Sequence, residues 1–196
     1  LKIQSAKIDA IRTKDIVKRG ARVYKAGKIG ISGAVGEVDD AVLIERAVEN
    51  LVTDIEYPFE LQTGPVAHRN YNETPMTTEA LLAHTESILK VLREDYSEFD
   101  FSETASVKHM ATHMYNSEGL DVKYEDALFE LGLILKEKGG PNLFDGFIGY
   151  YGRTFDEEKF LKQNREMLNA YRNKVELPMG EKLPVFCGEM GGENSG

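Results

Sequence analysis

Two histidines, His109 and His113, have the spacing in this chain that first suggests metal chemistry. On a helix, a His-x-x-x-His pair lies one turn apart and can share a zinc ion. Here the surrounding run, Val107–Tyr115, predicts a β-strand, on which residues four apart share a face but lie about 13 Å apart. No Glu follows His109, as a zinc peptidase helix would require. The pattern therefore favours two polar residues on one face of a sheet, lining a groove, over a metal site.

The remaining histidines and the cysteine give weaker signals. His84 lies on an amphipathic helix, where the pattern favours a packed, hydrogen-bonded side chain at the edge of the core. His68 lies in a loop and no partner for it is visible in the sequence. Cys187 would need a base and an orienting group to act as a nucleophile, and no such signature surrounds it. We expect it to be a small, apolar-like residue in a strand.

The acidic pairs and the glycines also have structural explanations. Asp39-Asp40 and Asp156-Glu157-Glu158 stand where helices are predicted to begin, a position at which the helix dipole favours negative charge. Four glycines follow one another at a spacing of three from Gly27 to Gly36, but no Lys-Ser/Thr follows them as in a phosphate-binding loop. Turns and bulges account for them.

The segment Tyr115–Gly119 predicts a hairpin turn, because Asn116 and Gly119 tolerate left-handed backbone. Alternatively, this turn projects toward a substrate or a partner subunit. The sequence therefore offers no catalytic and no metal-binding residue, and the candidates for contact with a substrate or partner are His109, His113, Asn116, Ser117 and Gly119.

Composition restricts the class of protein. With 41% hydrophobic and 29% charged residues, the 196-residue chain is typical of a globular protein. The net charge of −9 argues against direct binding of nucleic acid, which needs clustered basic side chains. No apolar run approaches the roughly 20 residues that span a bilayer, so we expect no membrane segment. One cysteine cannot form an internal disulfide, and we expect a cytoplasmic protein.

The first half of the chain predicts strands followed by helices. Strand-like runs extend from Lys2 to Ile11 and from Lys18 to Ala26, and Arg22–Ser32 is predicted to form a hairpin. A helix beginning at about Asp39 follows. Its predicted buried stripe consists of Ala41, Ile44, Ala47, Val48 and Leu51. Residues 57–72 are predicted to be irregular, and a second helix should run from Thr77 or Thr78 to Asp95.

The second half predicts a β-meander closed by a helix. Its four strand runs are Val107–Tyr115, Leu120–Tyr124, Ala127–Leu135 and Phe144–Arg153, and the helix runs from Asp156 to about Asn173. The predicted fold class is α+β, with antiparallel or mixed sheets, flanking helices and two subdomains. We place an N-terminal α/β region at 1–100 and the middle region at 101–180. Residues 181–196, with a strand predicted at Lys182–Cys187, would begin a further domain or form a flexible tail.

This order of elements resembles the TldD/PmbA family, a group of zinc metallopeptidases also described as modulators of DNA gyrase. Arg22–Gly30 is similar to the family's Arg-Val-x-x-x-Gly-x-x-Gly hairpin, and Tyr115–Gly119 to its Asn-Ser-x-Gly turn. The strand Phe147–Arg153 and the helix from Asp156 follow as in that family. Pro184 falls where the family's last domain begins. The resemblance covers most of the chain, through short motifs in a matching order.

The resemblance implies a metal site that this chain does not carry. In the family, zinc is bound by a His-Glu-x-x-x-His helix and a later Cys of the C-terminal domain. None of the four histidines here precedes a Glu, and Cys187 lies before the position of that domain. No catalytic residue is therefore transferred, and no cofactor is expected in this chain, although zinc is expected in the intact enzyme.

Two functions follow from the resemblance. The first is the N-terminal portion of a metallopeptidase that cleaves unfolded or extended peptides, with this portion guiding the substrate and contributing to a homo- or heterodimer with a family member. The second is a non-catalytic binding or regulatory protein of the same architecture, as the name gyrase modulator suggests. Whether the chain is enzymatic in itself is left open by the absence of the zinc motif.

Overall fold

The computed structural model describes residues 1–173, Gly180 and Lys182. The strands of this described part are β1 (Lys2–Gln4), β2 (Lys7–Ala10), β3 (Lys18–Lys25), β4 (Lys28–Val35), β5 (Val66–Asn70), β6 (Phe99–Tyr115), β7 (Asp121–Glu137) and β8 (Gly146–Gly152). Its α-helices are α1 (Asp40–Glu49), α2 (Thr78–Asp95) and α3 (Glu157–Arg172), and a short 3-10 helix covers Asn50–Thr53. The predicted α+β class with antiparallel sheets and flanking helices is confirmed.

By packing, the chain forms two compact units. The first contains residues 1–12, 67–113 and the chain from Val122; the second contains residues 13–66 and 114–121. Each unit thus combines segments that are distant in sequence. The predicted boundary at residue 100 divides the chain by sequence, whereas these two units are defined by contacts. That boundary therefore stays a prediction.

The first unit is built on a sheet whose strands are ordered β2-β1-β6-β7-β5, with β8 also paired to β7. One face of β7 is buried at every second residue: Ala127, Phe129, Leu131, Leu133 and Leu135. The predicted period of two is therefore confirmed for this strand. Burying a side chain of this size contributes about 1.5–3 kcal/mol, so this face supplies much of the unit's stability.

Helices α2 and α3 supply the other side of that core. Leu81, Ile88, Leu89 and Leu92 of α2 and Phe160 and Leu168 of α3 belong to the same buried cluster as the β7 residues. Each helix begins at a side-chain cap: Thr77 accepts a hydrogen bond from the Ala80 amide, and Asp156 from the Lys159 amide. Both predicted helices are confirmed within a residue or two at each end.

The second unit is a hairpin covered by one helix. Strands β3 and β4 pair from Lys18↔Val35 to Lys25↔Lys28, which confirms the predicted hairpin. Helix α1 lies against one face of it, where the Ser32 hydroxyl donates to the Leu43 carbonyl at 2.6 Å. A Cβ on Gly30 would lie 1.9 Å from the Ala47 carbonyl oxygen, so the helix approaches closely because this residue has no side chain.

The N-terminal strand prediction was wrong in one respect. Lys2–Ile11 is two strands, β1 and β2, joined by a tight turn at Ser5 and Ala6. Both turn residues have positive φ, 50° and 54°. Turns of this kind are normally marked by Gly, Asn or Asp, so the sequence carried no signal for it.

The middle region also differs from its prediction. Strand β6 begins at Phe99, and β7 runs without interruption from Asp121 to Glu137, so the meander has three strands where four were predicted. Strand β5 lies within the segment predicted to be irregular. Apart from Lys182, the strand predicted at Lys182–Cys187 lies outside the described residues.

The buried stripe predicted for α1 was largely wrong. Leu43 and Ala47 are buried, whereas Ile44 and Val48 are 50% and 49% exposed. The hairpin covers only the face of Leu43 and Ala47, and a second apolar stripe faces outward. In the described part of the chain, no helix is long and apolar enough to cross a membrane.

Candidate functional site

The outer half of β6 is the most exposed regular segment of the first unit. Phe99, Phe101 and Ala105 at its start are buried in the core, but from Lys108 onward every residue is exposed or half-buried. His109 and Ala111 continue the face that carries Phe101 and Ala105, because alternate residues of a strand share a face. The predicted strand context of the two histidines is therefore confirmed.

One edge of this outer half has no neighbouring strand among the described residues. Strand β6 lies between β1 and β7, and its pairing with β1 consists of Lys2↔Thr104 and Ile3↔Glu103. Beyond these, the Ala105 amide donates to the Leu1 carbonyl at 3.2 Å, and the Leu1 nitrogen donates to the Ala105 carbonyl at 2.6 Å. The described neighbour on this side ends there.

The Ala105 bonds define which later residues point to the open edge. In antiparallel pairing, a residue directs both its N–H and its C=O to one side, and the next residue directs them to the other. Ala105 directs both to the β1 side, so Val107, His109 and Ala111 direct theirs to the same side. These three residues present donor and acceptor pairs in the geometry that another strand requires.

A backbone irregularity precedes the open edge. Glu103 has φ of 131°, which is uncommon for a residue other than glycine. It lies in the short stretch paired with β1. Such positions cluster at functional sites and at bulges that change the direction of a strand.

The two histidines are both on β6, four residues apart, and both are exposed. At about 3.3 Å per residue they are too far apart to share one ion. Among the described residues, no group of three or more His, Cys, Asp or Glu side chains is arranged to hold a metal ion. Cys187 lies outside the described residues. The role of His109 and His113 in contacting a substrate stays a prediction.

The β6–β7 turn, in the second unit, is organised by Asn116. Its side-chain oxygen accepts from the amides of Glu118 at 2.9 Å and Leu120 at 3.1 Å, and its side-chain nitrogen donates to the Gln62 carbonyl at 2.9 Å. Gly119 has φ of 89°, as a tight turn requires. The structure thus gives Asn116 and Gly119 a turn-forming role. That Ser117 or this turn faces a partner stays a prediction.

The sequence gave no indication of a hydrogen bond between Tyr115 and Asp40, because 75 residues separate them. The Tyr115 hydroxyl donates to the carboxylate at 2.8 Å, and this bond raises the tyrosine's pKa above its ordinary value. Arg19 also contacts Asp40, at 3.4 Å. Within the second unit, this side-chain network joins the turn to the start of α1.

His84 is hydrogen-bonded at the edge of the core, as predicted. Its Nδ1 lies 2.7 Å from a carboxylate oxygen of Glu157, whose other oxygen accepts from Ser87 at 2.5 Å. The imidazole also meets the Phe155 ring edge-on. Ser87 and His84 each contact the Glu157 carboxylate. A serine nucleophile is activated by a contact between the serine and the histidine, which is a different arrangement. The cluster joins α2 to α3.

An ion pair between Asp126 and Arg153 lies on the side of β7 away from β6. The guanidinium donates two hydrogen bonds to the carboxylate, at 2.9 and 2.8 Å, and lies over the ring of Tyr71. This contact lowers the pKa of Asp126 and raises that of Arg153. Because the guanidinium is already satisfied by a bidentate partner, we interpret it as structural.

No protein-family model and no curated protein sequence matches the chain. Solved structures do match it. TldE from Thermococcus kodakarensis aligns over 86% of this chain with a TM-score of 0.60 and 18% identity. A proposed modulator of a DNA gyrase from Thermotoga maritima aligns over 90%, with a TM-score of 0.61 and 17% identity.

The chain spans 41% and 42% of the lengths of these two solved chains. At such low identity, the likeness establishes the fold and leaves activity and partners open. The resemblance to the TldD/PmbA family is thereby confirmed for the architecture. This chain has a TldD/PmbA-like fold, corresponding to the N-terminal portion of that architecture.

Proposed function

We propose that this chain guides extended peptides for a TldD/PmbA-like metallopeptidase, with the outer edge of β6 as the peptide-binding strand. The observation that carries the proposal is the outward-directed backbone of Val107, His109 and Ala111 on an edge without a described neighbour. An extended peptide can add to such an edge as a further strand, held by main-chain hydrogen bonds. The architecture shared with the two solved structures supports the likeness to the TldD/PmbA family, and the enzyme class is inferred from that family resemblance.

The kind of substrate follows from this mode of binding. A peptide can pair with the edge only if its own backbone groups are free, so the ligand is an unfolded or extended chain. Main-chain bonds carry little sequence preference, and selectivity comes from side chains beside the strand. His109 and Met110, which point to opposite faces of β6, are the exposed side chains that a bound peptide would meet.

Zinc, which the fold family implies for the intact enzyme, does not fit the donors of the described residues. His109 and His113 lie too far apart along a strand to share an ion. The described residues contain no cluster of His, Cys, Asp and Glu that could supply the remaining ligands. We therefore assign no catalytic step to this part of the chain, and propose that it contributes binding and subunit contacts.

A non-catalytic function is the second candidate, and the same edge supports it. A protein that binds extended segments without cleaving them would use β6 in the same way, and one matched structure is described as a proposed modulator of a DNA gyrase. In either case we propose a protein partner in the cytoplasm, as a homo- or heterodimer. The net charge of −9 makes direct contact with DNA unfavourable.

Replacing Ala111 by proline tests the binding edge. Proline lacks the N–H and is tolerated on a strand edge whose N–H faces outward. Ala111→Pro should therefore preserve the pairing of β6 with β7 and block pairing with a peptide. We expect the affinity for a fluorescein-labelled unstructured peptide, measured by fluorescence anisotropy, to fall about two- to tenfold, because the lost hydrogen bond costs about 0.5–1.5 kcal/mol. Ala111→Val, which keeps the N–H, is the matched control.

Changing the peptide gives the same test without changing the protein. N-methylation of alternate residues of the labelled peptide removes the donors on one of its edges, so one of the two methylation registers should lose binding. Equal affinity for both registers and for the unmethylated peptide would contradict strand addition. So would wild-type affinity of Ala111→Pro.

The two candidate functions are separated by zinc content and peptide hydrolysis, measured side by side on these 196 residues and on the full product of the gene. The peptidase proposal expects metal and hydrolysis in the full product and neither in the 196 residues. Stoichiometric zinc in the 196-residue chain would contradict this division. Peptide binding without hydrolysis in both proteins would favour the non-catalytic function.

A further inference from the structure

The second unit leaves large apolar side chains exposed on two of its surfaces. One surface is the face of the β3–β4 hairpin opposite α1, which carries Ile31 and Val35, 49% and 75% exposed. The other is the outward side of α1 and the following 3-10 helix, which carries Ile44, Val48 and Val52, 50%, 49% and 86% exposed. Exposed apolar groups gathered in this way mark interaction surfaces.

The hairpin surface carries basic side chains. Directly opposed residues of an antiparallel pair share a face, so Arg22 lies beside Ile31 and Lys18 beside Val35. Between these two pairs, Gly20 and Gly33 oppose each other. A strand surface without side chains permits close approach of another backbone. We call this the hairpin surface: basic groups along β3, apolar groups along β4 and bare backbone between them.

The helix surface is acidic. At about 100° per residue, Ile44 and Val48 form one stripe of α1, and Glu45 and Glu49 flank that stripe on one side. Arg46 projects away from the stripe by the same rotation. All four of these flanking and stripe residues are exposed. We call this the helix surface: an apolar stripe bordered by two carboxylates.

Charge decides how these surfaces can pair. Two hairpin surfaces together would oppose Lys18 and Arg22 with their copies, and two helix surfaces would oppose Glu45 with carboxylates of its copy. Like charges in an interface cost several kcal/mol. A hairpin surface against a helix surface instead joins basic to acidic groups and apolar to apolar groups.

We propose that the hairpin surface of one copy of this chain binds the helix surface of a second copy. The two surfaces differ, so the contact is heterologous: each bound pair leaves one surface of each kind open, and copies add as a ring or a chain. This contact is separate from the dimer of the proposed function and goes beyond it. Self-association by this contact does not involve peptide binding at β6. Fluorescence anisotropy therefore tests the peptide-binding proposal, and sedimentation velocity tests this contact.

Sedimentation velocity of the 196-residue chain tests the contact. Wild type should self-associate as its concentration rises, and less so in high salt, because exposed charge pairs are screened. Ile31→Asp brings a carboxylate against the acidic helix surface, and Ile44→Gln with Val48→Gln removes the apolar stripe. Each variant should weaken association about tenfold or more, as loss of a central apolar anchor does.

Mixing the two variants sharpens the test. The Ile31→Asp chain keeps its helix surface and the Ile44→Gln, Val48→Gln chain keeps its hairpin surface, so an equimolar mixture should form one heterodimer and stop there. Leu143→Asp, at an 87% exposed apolar residue of the first unit, is the matched control and should associate like wild type. A wild-type chain that stays monomeric up to millimolar concentration would overturn the proposal, and so would a mixture that remains monomeric.

Discussion

The two units differ in how far their apolar side chains are buried. In the first, a sheet and two helices bury one continuous cluster that includes Phe101, Phe129 and Leu133. In the second, the buried large hydrophobic residues of the described chain are Ile29 and Leu43, beside Ala47. Residues of the same type, Ile31 and Val48, stay half exposed there. The difference indicates that the first unit is stabilised by an extensive core of its own, while the second combines a small core with exposed apolar side chains.

A large-to-small substitution in each unit tests this difference most strongly. Phe129→Ala removes a ring that is 2% exposed and lies 4.6 Å from the Phe155 ring, centre to centre. We expect a loss of about 3–5 kcal/mol in the free energy of unfolding, measured by urea denaturation. Ile31→Ala, at a half-exposed position of the second unit, should cost less than about 1 kcal/mol. Equal losses would remove the distinction between the units.

Two glycines of β4 test how the second unit holds together. Gly30→Ala places a methyl group 1.9 Å from the Ala47 carbonyl oxygen and should force α1 away from the hairpin. Overpacking of this kind costs about 1–3 kcal/mol. Gly33→Ala, whose Cβ would meet its nearest neighbour at an ordinary 3.6 Å, is the control and should be nearly neutral.

Thermal unfolding and amide hydrogen exchange would measure the effect of these glycine variants. Loss of amide protection in α1 with retained protection in β7 would sharpen the comparison of the two units. It would mean that the first unit stays folded when α1 no longer packs on the hairpin of the second unit. Unchanged protection in α1 of Gly30→Ala would contradict the close packing of α1 on β4.

The smallest expected effect concerns charge at the surface of the first unit. The Arg153 guanidinium lowers the pKa of Asp126, so the folded state favours the ionised carboxylate. A depressed folded-state pKa adds stability above the ordinary carboxyl range near pH 4, and that stability is lost as pH falls through the lowered value. Asp126→Asn should therefore be modestly less stable than wild type at pH 7.

Urea midpoints of wild type and Asp126→Asn, measured from pH 7 to pH 2, check the sign of this effect. The difference between the two proteins should be constant down to about pH 5 and should narrow below about pH 4. A difference that widens toward low pH would mean that the ion pair does not stabilise the fold.

Strands, helices and turns were predicted correctly where the local sequence pattern agrees with the final packing. The alternation of Phe129, Leu131, Leu133 and Leu135 and the stripe of Leu81, Ile88 and Leu92 both face one continuous core. Gly27, with φ of 72°, marks the β3–β4 turn because few other residues tolerate that conformation. In such segments, a periodic pattern is sufficient.

Prediction failed where tertiary contacts override the pattern. Ile44 and Val48 fit a buried stripe, but the approach of α1 at Gly30 rotates Leu43 and Ala47 inward instead. Strand β5 is polar and exposed, and it forms beside β7 without any periodic signal. Which stretch of β6 lacks a neighbour among the described residues could not be predicted, because it depends on where the neighbouring β1 ends.

The edge of β6 without a neighbour among the described residues has a further consequence, for the solubility of the chain. An unpaired strand edge can template the edge of an identical molecule and so start aggregation. The exposed stretch of β6 carries Lys108, His109 and His113, which separate the exposed Met110 and Met114, so it contains no long apolar run. Charged and polar residues on an edge disfavour indefinite stacking of identical strands. The composition of the proposed peptide-binding strand therefore disfavours polymerisation of the chain with itself along that edge.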